Sequence, residues 1–229
     1  MNKWEKYIDD FMYYMKMERN FSKNTINSYL IDCRDFFLYM NENYPEVTPK
    51  NIEDKHFSNY ITDKLQLLKV SSKKRKISSV RAFFKYLLFA EEIDKDPTQL
   101  ITTPRMEERL PVVLSNQEIE KMINSIDVSS YSGYRNRLTI EVLYATGLRV
   151  SEFVNLQLSD IIFKEGFLDI IGKGNKERYV PICQSALNHL QTYIDNYRSQ
   201  IEIKPKYKDY VFINQKRGTN LTRQFIFNL

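Results

Sequence analysis

The apolar residues between positions 26 and 40 recur every three or four residues, which is the spacing of one face of an α-helix. They are Ile26, Tyr29, Leu30, Cys33, Phe36, Phe37 and Met40. Ser22 precedes them and suits the start of a helix, because its hydroxyl can accept a hydrogen bond from a backbone N–H group of the first turn. A helix with so continuous an apolar face must pack against other elements.

Similar spacing predicts further helices in the first hundred residues. One begins near Trp4, a shorter one covers residues 54–67, and a long one covers residues 72–89. In the long helix the residues expected to face inward are Ile77, Val80, Phe83, Phe84, Leu87 and Leu88. The N-terminal part of the chain is therefore predicted to be a small bundle of four helices.

Prolines mark a change of organisation after this bundle. Pro97, Pro104 and Pro111 flank a charged stretch at residues 105–109, a composition typical of an extended linker. Ser115 and Glu118 then have the spacing of a helix-starting capping box. We predict a helical domain at residues 1–103, a linker at 104–112 and a second domain at 113–229.

The second domain is predicted to mix helices with a little β-structure. Helices are expected at residues 134–146, 150–156 and 184–199 and from residue 222 onward, with Gly147 as a left-handed helix stop. Two β-rich runs, residues 167–171 and 178–182, surround a polar Gly-Lys-Gly-Asn-Lys segment and predict a hairpin. Residues 209–214 predict one more strand. The fold class is therefore mainly α with a small β-hairpin or sheet.

Composition excludes several classes of protein. The longest apolar runs are short, and the first residues lack a signal-peptide pattern, so we expect a cytoplasmic protein that is not in a membrane. Cys33 and Cys183 have no paired spacing, so we expect buried free thiols rather than a disulfide or a zinc site. We expect no metal, no other cofactor and no small-molecule substrate.

The net charge of +5 is only a mild indication of a polyanionic partner, but the charge is unevenly distributed. No acidic residue occurs between Asp63 and Glu91, whereas basic residues are frequent there. Within this window Lys74, Ser78, Arg81 and Lys85 fall on one stripe of the long helix. Such a stripe, with the adjacent Arg75, could follow the phosphates of double-stranded DNA, and an ordinary solvated helix face is the alternative.

The most specific motif runs from Tyr144 to Asp160 and contains the sequence Thr-Gly-Leu-Arg-Val-Ser-Glu. Arg149 falls between two predicted helices, where a planar guanidinium can grip two phosphate oxygens. Glu152 is a candidate partner that orients it. The alternative is that Arg149 only caps a helix or pairs with Glu152.

This motif resembles the first arginine box of the tyrosine recombinases. The hairpin segment Ile171 to Ile182 is similar to the family's catalytic hairpin, in which Lys173 takes the position of the lysine and Lys176 is a further DNA-binding candidate. A lysine ammonium there could protonate the departing 5′ oxygen as a general acid. Alone, the segment could be a polar turn without function.

The resemblance covers nearly the whole chain and is closest to the Xer subgroup. It implies an N-terminal four-helix, SAM-like core-binding domain that clamps DNA, followed by a mixed α/β catalytic domain with Arg149, Lys173 and Glu152 as catalytic residues. It further implies strand cleavage and rejoining through a 3′-phosphotyrosine by four protomers on DNA, without a cofactor, in reactions such as chromosome dimer resolution.

One departure limits these expectations. The family also needs a His-x-x-Arg pair, a later His or Trp, and a nucleophilic tyrosine, and neither His56 nor His189 is followed by arginine three residues on. We therefore expect a partial catalytic domain, truncated at its C-terminus, in a chain that binds DNA but cannot cleave it. A phage or transposon integrase and a non-catalytic DNA-binding accessory module are the alternatives.

Overall fold

A computed structural model describes residues 4–103, 113–172, 174 and 176–229. The chain divides into two compact units, Met1–Leu110 and Pro111–Leu229. The predicted linker at 104–112 lies outside the described residues, so its extended conformation stays a prediction. Each unit is described by itself below.

The described part of the first unit contains four helices: α1 (Glu5–Met17), α2 (Lys23–Asn43), α3 (Asp54–Asp63) and α4 (Val70–Phe89). Ser22 caps α2 as predicted, because its hydroxyl accepts from the backbone N–H of Thr25 at 3.2 Å. The prediction for the third helix was too long at its C-terminal end. Its last residues form a series of turns, with the N–H of Leu68 donating to the Leu65 carbonyl.

Aromatic side chains fill the centre of this bundle. Trp4 is fully buried and stacks on Phe37, with 4.7 Å between the ring centroids. Phe36 meets Tyr60 edge-on at 5.0 Å, which joins α2 to α3. Such pairs add a directional term to the burial of apolar area.

The prediction that Leu88 faces inward is wrong, since the side chain is 42% exposed. Leu87, its neighbour, is fully buried. Adjacent residues on a helix differ by about 100° in direction, and at this position only Leu87 points into the core.

A polar cluster connects α2 to α4. The carboxylate of Asp32 is fully buried and accepts hydrogen bonds from Arg75 and, at 2.8 Å, from the hydroxyl of Ser79. Lys76 bonds to Asp35, one helical turn further along α2, at 2.7 Å. These contacts offset the cost of removing the Asp32 charge from water.

The described part of the second unit contains five further helices, some with short 3₁₀ or π extensions. They are α5 (Asn116–Asn124), α6 (Tyr131–Thr146), α7 (Val150–Val154), α8 (Gln184–Thr192) and α9 (Arg223–Phe227). Ser115 and Glu118 form the predicted capping box of α5. The predicted helix 184–199 is α-helical only to residue 192, and a π-helical segment and a 3₁₀ turn then continue it to residue 200.

Three antiparallel strands follow α7: β1 (Ile161–Ile162), β2 (Phe167–Ile171) and β3 (Glu177–Pro181), in that order in the sheet. The predicted hairpin is confirmed, with Ile170 opposite Arg178. The predicted strand 209–214 is mostly wrong, because only residues 213 and 214 form a strand, β4 (Ile213–Asn214), paired with β5 (Thr219–Asn220). The prediction of a mainly α fold with a small sheet is confirmed.

The two cysteines differ in burial. Cys33 lies in the core of the first unit as predicted, and burial raises the pKa of its thiol. The prediction that Cys183 is buried is wrong: it is exposed, at the residue preceding α8. None of the helices in the part of the chain that the structure describes is both long and apolar enough to span a membrane.

Candidate functional site

Arg149 lies at the junction between α6 and α7, as the sequence predicts. The backbone of Gly147 is left-handed, with φ of 61°, and its N–H donates to the carbonyl of Leu143 to close α6. Arg149 is extended, with φ of −64° and ψ of 146°, and is the residue before the first turn of α7. A helix stop and a helix start two residues apart thus fix the backbone of Arg149.

The carboxylate of Glu152 holds Arg149 in two ways. Its Oε2 atom accepts from the backbone N–H of Arg149 at 2.9 Å, and its Oε1 atom accepts from the Arg149 Nη1 at 2.8 Å. The Glu152 side chain is 6% exposed, whereas that of Arg149 is 62% exposed. The buried acid therefore orients an arginine whose charge faces solvent.

A second arginine, Arg178 on β3, binds the same carboxylate. Its Nη1 donates to Glu152 Oε1 at 3.0 Å and its Nη2 donates to Oε2 at 2.8 Å, which is a bidentate arrangement. Sequence reasoning did not identify Arg178 as a site residue. It is 26 positions from Glu152 along the chain, and only the tertiary fold brings the two residues together.

These contacts set the charge of Glu152. The hydrogen bond from Arg178 is the largest influence and lowers the pKa of the carboxyl to about 2, with further lowering by the backbone and side chain of Arg149. Burial acts in the opposite direction. The group is therefore ionised at neutral pH and stays a hydrogen-bond acceptor for both arginines.

Arg149 and Glu152 border a cleft of about 490 Å³ between α7 and the β2–β3 hairpin. Its other lining residues are Ser151, Asn155, Gln157, Asp160, Asp169, Ile170, Ile171, Gly172 and Glu177. Apart from Arg149, the charged lining residues are acidic. Arg149 is therefore the basic residue among the lining residues that the structure describes.

The hairpin closes through a hydrogen bond from the Gly172 N–H to the Lys176 carbonyl at 2.8 Å. Lys176 is exposed and Gly174 has a left-handed φ of 79°. Lys173, the proposed general acid, lies outside the described residues, so its position and role stay predictions.

The DNA-binding residues predicted on α4 have three different environments. Lys74, Ser78 and Lys85 are exposed, as a phosphate-binding stripe requires. The half-buried Arg81 donates to the carbonyl of Ile101 at 2.7 Å and to the hydroxyl of Thr103 at 3.0 Å, within the same unit. Arg75 is paired with Asp32 but keeps a side chain that is 48% exposed.

Both histidines have structural partners. His56 is buried in α3, where its Nδ1 accepts from the backbone N–H of Glu53 at 3.0 Å. His189 on α8 lies 2.7 Å from the carboxylate of Glu141 on α6. Within residues 4–103, 113–172, 174 and 176–229, no group of three or more His, Cys, Asp or Glu could hold a metal ion.

Two family models match the chain. The model of the phage integrase family matches residues 112–228, and that of the phage integrase N-terminal SAM-like domain matches residues 8–91. The tyrosine recombinase XerD of Listeria monocytogenes serotype 4b (strain F2365) is 38% identical over 219 residues, with 95% of this chain and 73% of the relative aligned. The chain belongs to the phage integrase family of tyrosine recombinases. The XerD protein of Staphylococcus haemolyticus (strain JCSC1435) is 35% identical over 98% of this chain and 76% of its own length.

Solved structures of tyrosine recombinases share the fold. XerH recombinase bound to palindromic difH substrate, in a post-cleavage complex, is 25% identical and has a TM-score of 0.67 over 95% of this chain and 64% of that one. The Tn1549 transposon integrase in complex with circular intermediate DNA is 17% identical, with a TM-score of 0.69 over 96% and 74%. The predicted SAM-like helical domain and recombinase domain, and the predicted likeness to the Xer subgroup, are thereby confirmed.

Proposed function

We propose that this chain is a site-specific recombinase of the Xer type, which binds double-stranded DNA and holds the scissile phosphodiester at Arg149. The observation that carries this proposal is the exposed guanidinium of Arg149, held by a buried carboxylate beside a cleft. A fixed charge of this kind stabilises a pentacoordinate phosphoryl transition state without reorganising during the reaction. The XerD relatives and the complex of XerH with difH support the substrate class.

Each catalytic candidate has a proposed part in that reaction. Arg149 binds two non-bridging oxygens of the phosphate, and Glu152 keeps its guanidinium in place. Lys173 donates a proton to the departing 5′ oxygen. The family chemistry joins the 3′ phosphate to a tyrosine, and we propose chromosome dimer resolution in the cytoplasm, together with other recombinase protomers, as its setting.

We further propose that these 229 residues bind DNA without cleaving it. The sequence contains two histidines, and arginine does not follow either of them three residues on. The His-x-x-Arg pair of the family therefore has no match in these residues, and we assign no tyrosine as the nucleophile.

For the rest of the interface we propose the α4 residues Lys74, Arg75, Ser78, Arg81 and Lys85, together with Lys176 of the hairpin. Lysine and arginine there would neutralise phosphates and release counterions, which makes affinity fall with rising salt. Ser78 is a small donor that permits close approach of the backbone.

Fluorescence anisotropy with two labelled duplexes tests the binding proposal. One duplex carries a known Xer recombination site and the other carries the same bases in scrambled order. We expect tighter binding to the Xer site, a steep loss of affinity with salt, and weaker binding after Arg149→Ala, with the exposed Lys206→Ala as a matched control. Equal affinity of wild type and Arg149→Ala would remove Arg149 from the interface.

A nicked suicide duplex tests the cleavage proposal separately. On such DNA a tyrosine recombinase accumulates as a covalent adduct that survives denaturing electrophoresis. We expect specific binding and no adduct. An adduct would show that the nucleophile lies within these residues and would contradict this proposal.

A further inference from the structure

We propose that Arg178 is a positioning residue of the phosphate site: it fixes the Glu152 carboxylate and, through it, the direction of the Arg149 guanidinium. This inference rests on the proposed role of Arg149. Its evidence is the set of contacts around the Glu152 carboxylate, together with the short distance between the hairpin backbone at Gly172 and the Arg178 guanidinium.

The Glu152 carboxylate is held by both arginines. Each oxygen of Glu152 accepts from both arginines: Oε1 from the Nη1 atoms of Arg149 and Arg178, and Oε2 from the Arg149 backbone N–H and the Arg178 Nη2. A carboxylate held from two sides in this way cannot rotate without breaking several charge-assisted bonds. The bidentate pair from Arg178 therefore fixes the plane in which Glu152 faces Arg149.

Arg149 must keep its guanidinium in one direction to grip a phosphate. The Arg149 side chain is 62% exposed, and its guanidinium contacts the carboxylate of Glu152. A long exposed side chain has many rotamers, and a clamp for a transition state must occupy one of them. A catalytic side chain that is held by a single neighbour keeps its position only if that neighbour is itself held rigidly. Arg178 supplies that support from β3, where it lies opposite Ile170 in a hydrogen-bonded ladder.

Gly172, the residue that precedes Lys173, lies close to the Arg178 guanidinium. A Cβ atom at this position would lie 2.7 Å from Nη1 of Arg178 and 3.6 Å from Oε1 of Glu152. Gly172 does not have the positive φ found at Gly147, Gly166, Gly174 and Gly218, so backbone strain does not explain the glycine. The missing Cβ leaves room for the Arg178 guanidinium, and the base of the hairpin lies close to Arg178 and Glu152.

Two substitutions distinguish a positioning role of Arg178 from that of an ion pair that only adds stability. Gly172→Ala leaves every charge in place. The added methyl group would displace the Arg178 guanidinium, which is the movable end of a long side chain. Arg178→Lys keeps a positive charge but loses the bidentate geometry. If Arg178 only contributed charge to stability, neither substitution would alter the orientation of Arg149.

The experiment uses the full chain and a double-mutant cycle of affinity for the Xer-site duplex. Arg149→Ala should weaken binding roughly tenfold in the wild-type background, as expected for loss of a charged hydrogen-bonding group. In the Arg178→Gln and Gly172→Ala backgrounds it should weaken binding only about twofold, because Arg149 is already misplaced. Arg178→Lys should restore part of the difference. Arg217→Gln, at an exposed arginine in the turn between β4 and β5, is the matched control and should leave the full tenfold effect.

Two NMR measurements identify the cause. In Arg178→Gln the Glu152 carboxyl should titrate closer to the ordinary pKa of a glutamate, since Arg178 is the largest influence that lowers it. The Nε–H relaxation of Arg149 should show greater mobility in Arg178→Gln and Gly172→Ala than in wild type. Circular dichroism and thermal unfolding of each variant separate these changes from loss of fold.

The outcomes distinguish failure of the positioning role of Arg178 from failure of the recombinase proposal. Additive effects of Arg149→Ala and Arg178→Gln, or unchanged Arg149 mobility in Gly172→Ala, would overturn the positioning role and leave the recombinase proposal intact. No effect of Arg149→Ala in the wild-type background would overturn both. An unaltered Glu152 titration in Arg178→Gln would disprove the contact itself, whatever the DNA measurements show.

Discussion

Each unit of this recombinase contains a buried carboxylate paired with a partly exposed arginine, and the two pairs differ in what the carboxylate does. Asp32 is fully buried and draws Arg75, Ser79 and Lys76 of α4 towards α2. Glu152 is nearly as buried, but the Arg149 side chain that it holds remains 62% exposed. The first pair connects two helices, and the second presents a charge to solvent. Burial of the acid therefore does not distinguish a structural pair from a candidate catalytic one, and exposure of the base does so only weakly, since the Arg75 side chain is itself 48% exposed. The cleft that adjoins Arg149 and Glu152 makes the distinction.

The largest expected effect follows Asp32→Asn. The substitution keeps the size of the side chain but removes the charge that Arg75 and Lys76 approach, so we expect a loss of about 3 kcal/mol in the stability of the first unit. Hydrogen exchange of the α2 and α4 amides measures it. Asp35→Asn is the matched control, since Asp35 is 46% exposed and should contribute much less. Equal losses from both would show that burial of Asp32 adds nothing.

The ion pairs of Glu152 with Arg149 and Arg178 should contribute about 2 kcal/mol to the free energy of unfolding, and this contribution should be lost in acid. It is smaller than the full electrostatic value because both arginines are partly exposed. The pKa of Glu152 is lowered to about 2 by Arg178 first and Arg149 second. A lowered pKa gives stability that is present above the unfolded-state pKa, near 4.5, and is lost as pH falls from there towards 2. Denaturant unfolding of wild type and Glu152→Gln should therefore differ at pH 7 and converge near pH 2. A constant difference across that range would contradict the pKa assignment.

Substitutions of different basic residues of α4 should separate effects on DNA affinity from effects on stability. Lys74→Ala with Lys85→Ala should lower affinity for duplex DNA roughly tenfold and reduce the salt slope by about one for each lost phosphate contact, with little change in stability. Arg75→Ala should lower affinity and also destabilise the first unit, by about 1 kcal/mol, because it leaves Asp32 short of a partner. If the double lysine variant keeps its affinity and slope, this face of α4 is ordinary solvated surface.

The cysteines should give the smallest effect in the folded protein. Iodoacetamide should modify the exposed Cys183 readily, and Cys183→Ser should change stability by no more than about 0.5 kcal/mol. Cys33 should react only when the first unit opens, because it is buried and burial raises the pKa of its thiol. Asp32→Asn should speed that reaction and Glu152→Gln should not. Rapid modification of Cys33 in the native chain would contradict its burial.

Much of the fold could be predicted from sequence, because helix formation depends on neighbours three or four positions apart. The apolar stripe of α2, the cap at Ser22 and the helix stop at Gly147 all rest on local chemistry, and the structure contains them. For the same reason the pairing of Arg149 with Glu152, three residues later, could be predicted.

The rest depends on contacts between distant segments. Arg178 reaches Glu152 only through the packing of the hairpin, and no pattern among its neighbours in sequence indicates this contact. Residues 209–214 have the composition of a strand, but a strand also needs a continuous partner. Tyr210 makes only an isolated bridge with Gln157, and residues 213 and 214 pair with β5. Cys183 has apolar neighbours in sequence, yet it lies at the exposed start of α8.

The stacking of Trp4 on Phe37 has a spectroscopic consequence. Trp4 is the single tryptophan of the 229 residues, and it is buried in the aromatic core of the first unit. Emission excited selectively at the red edge of indole absorption therefore reports on that unit, while the second unit contributes only tyrosine and phenylalanine. A denaturation curve followed by indole emission and one followed by circular dichroism will coincide only if the two units unfold together, so the natural sequence already contains a probe of their cooperativity.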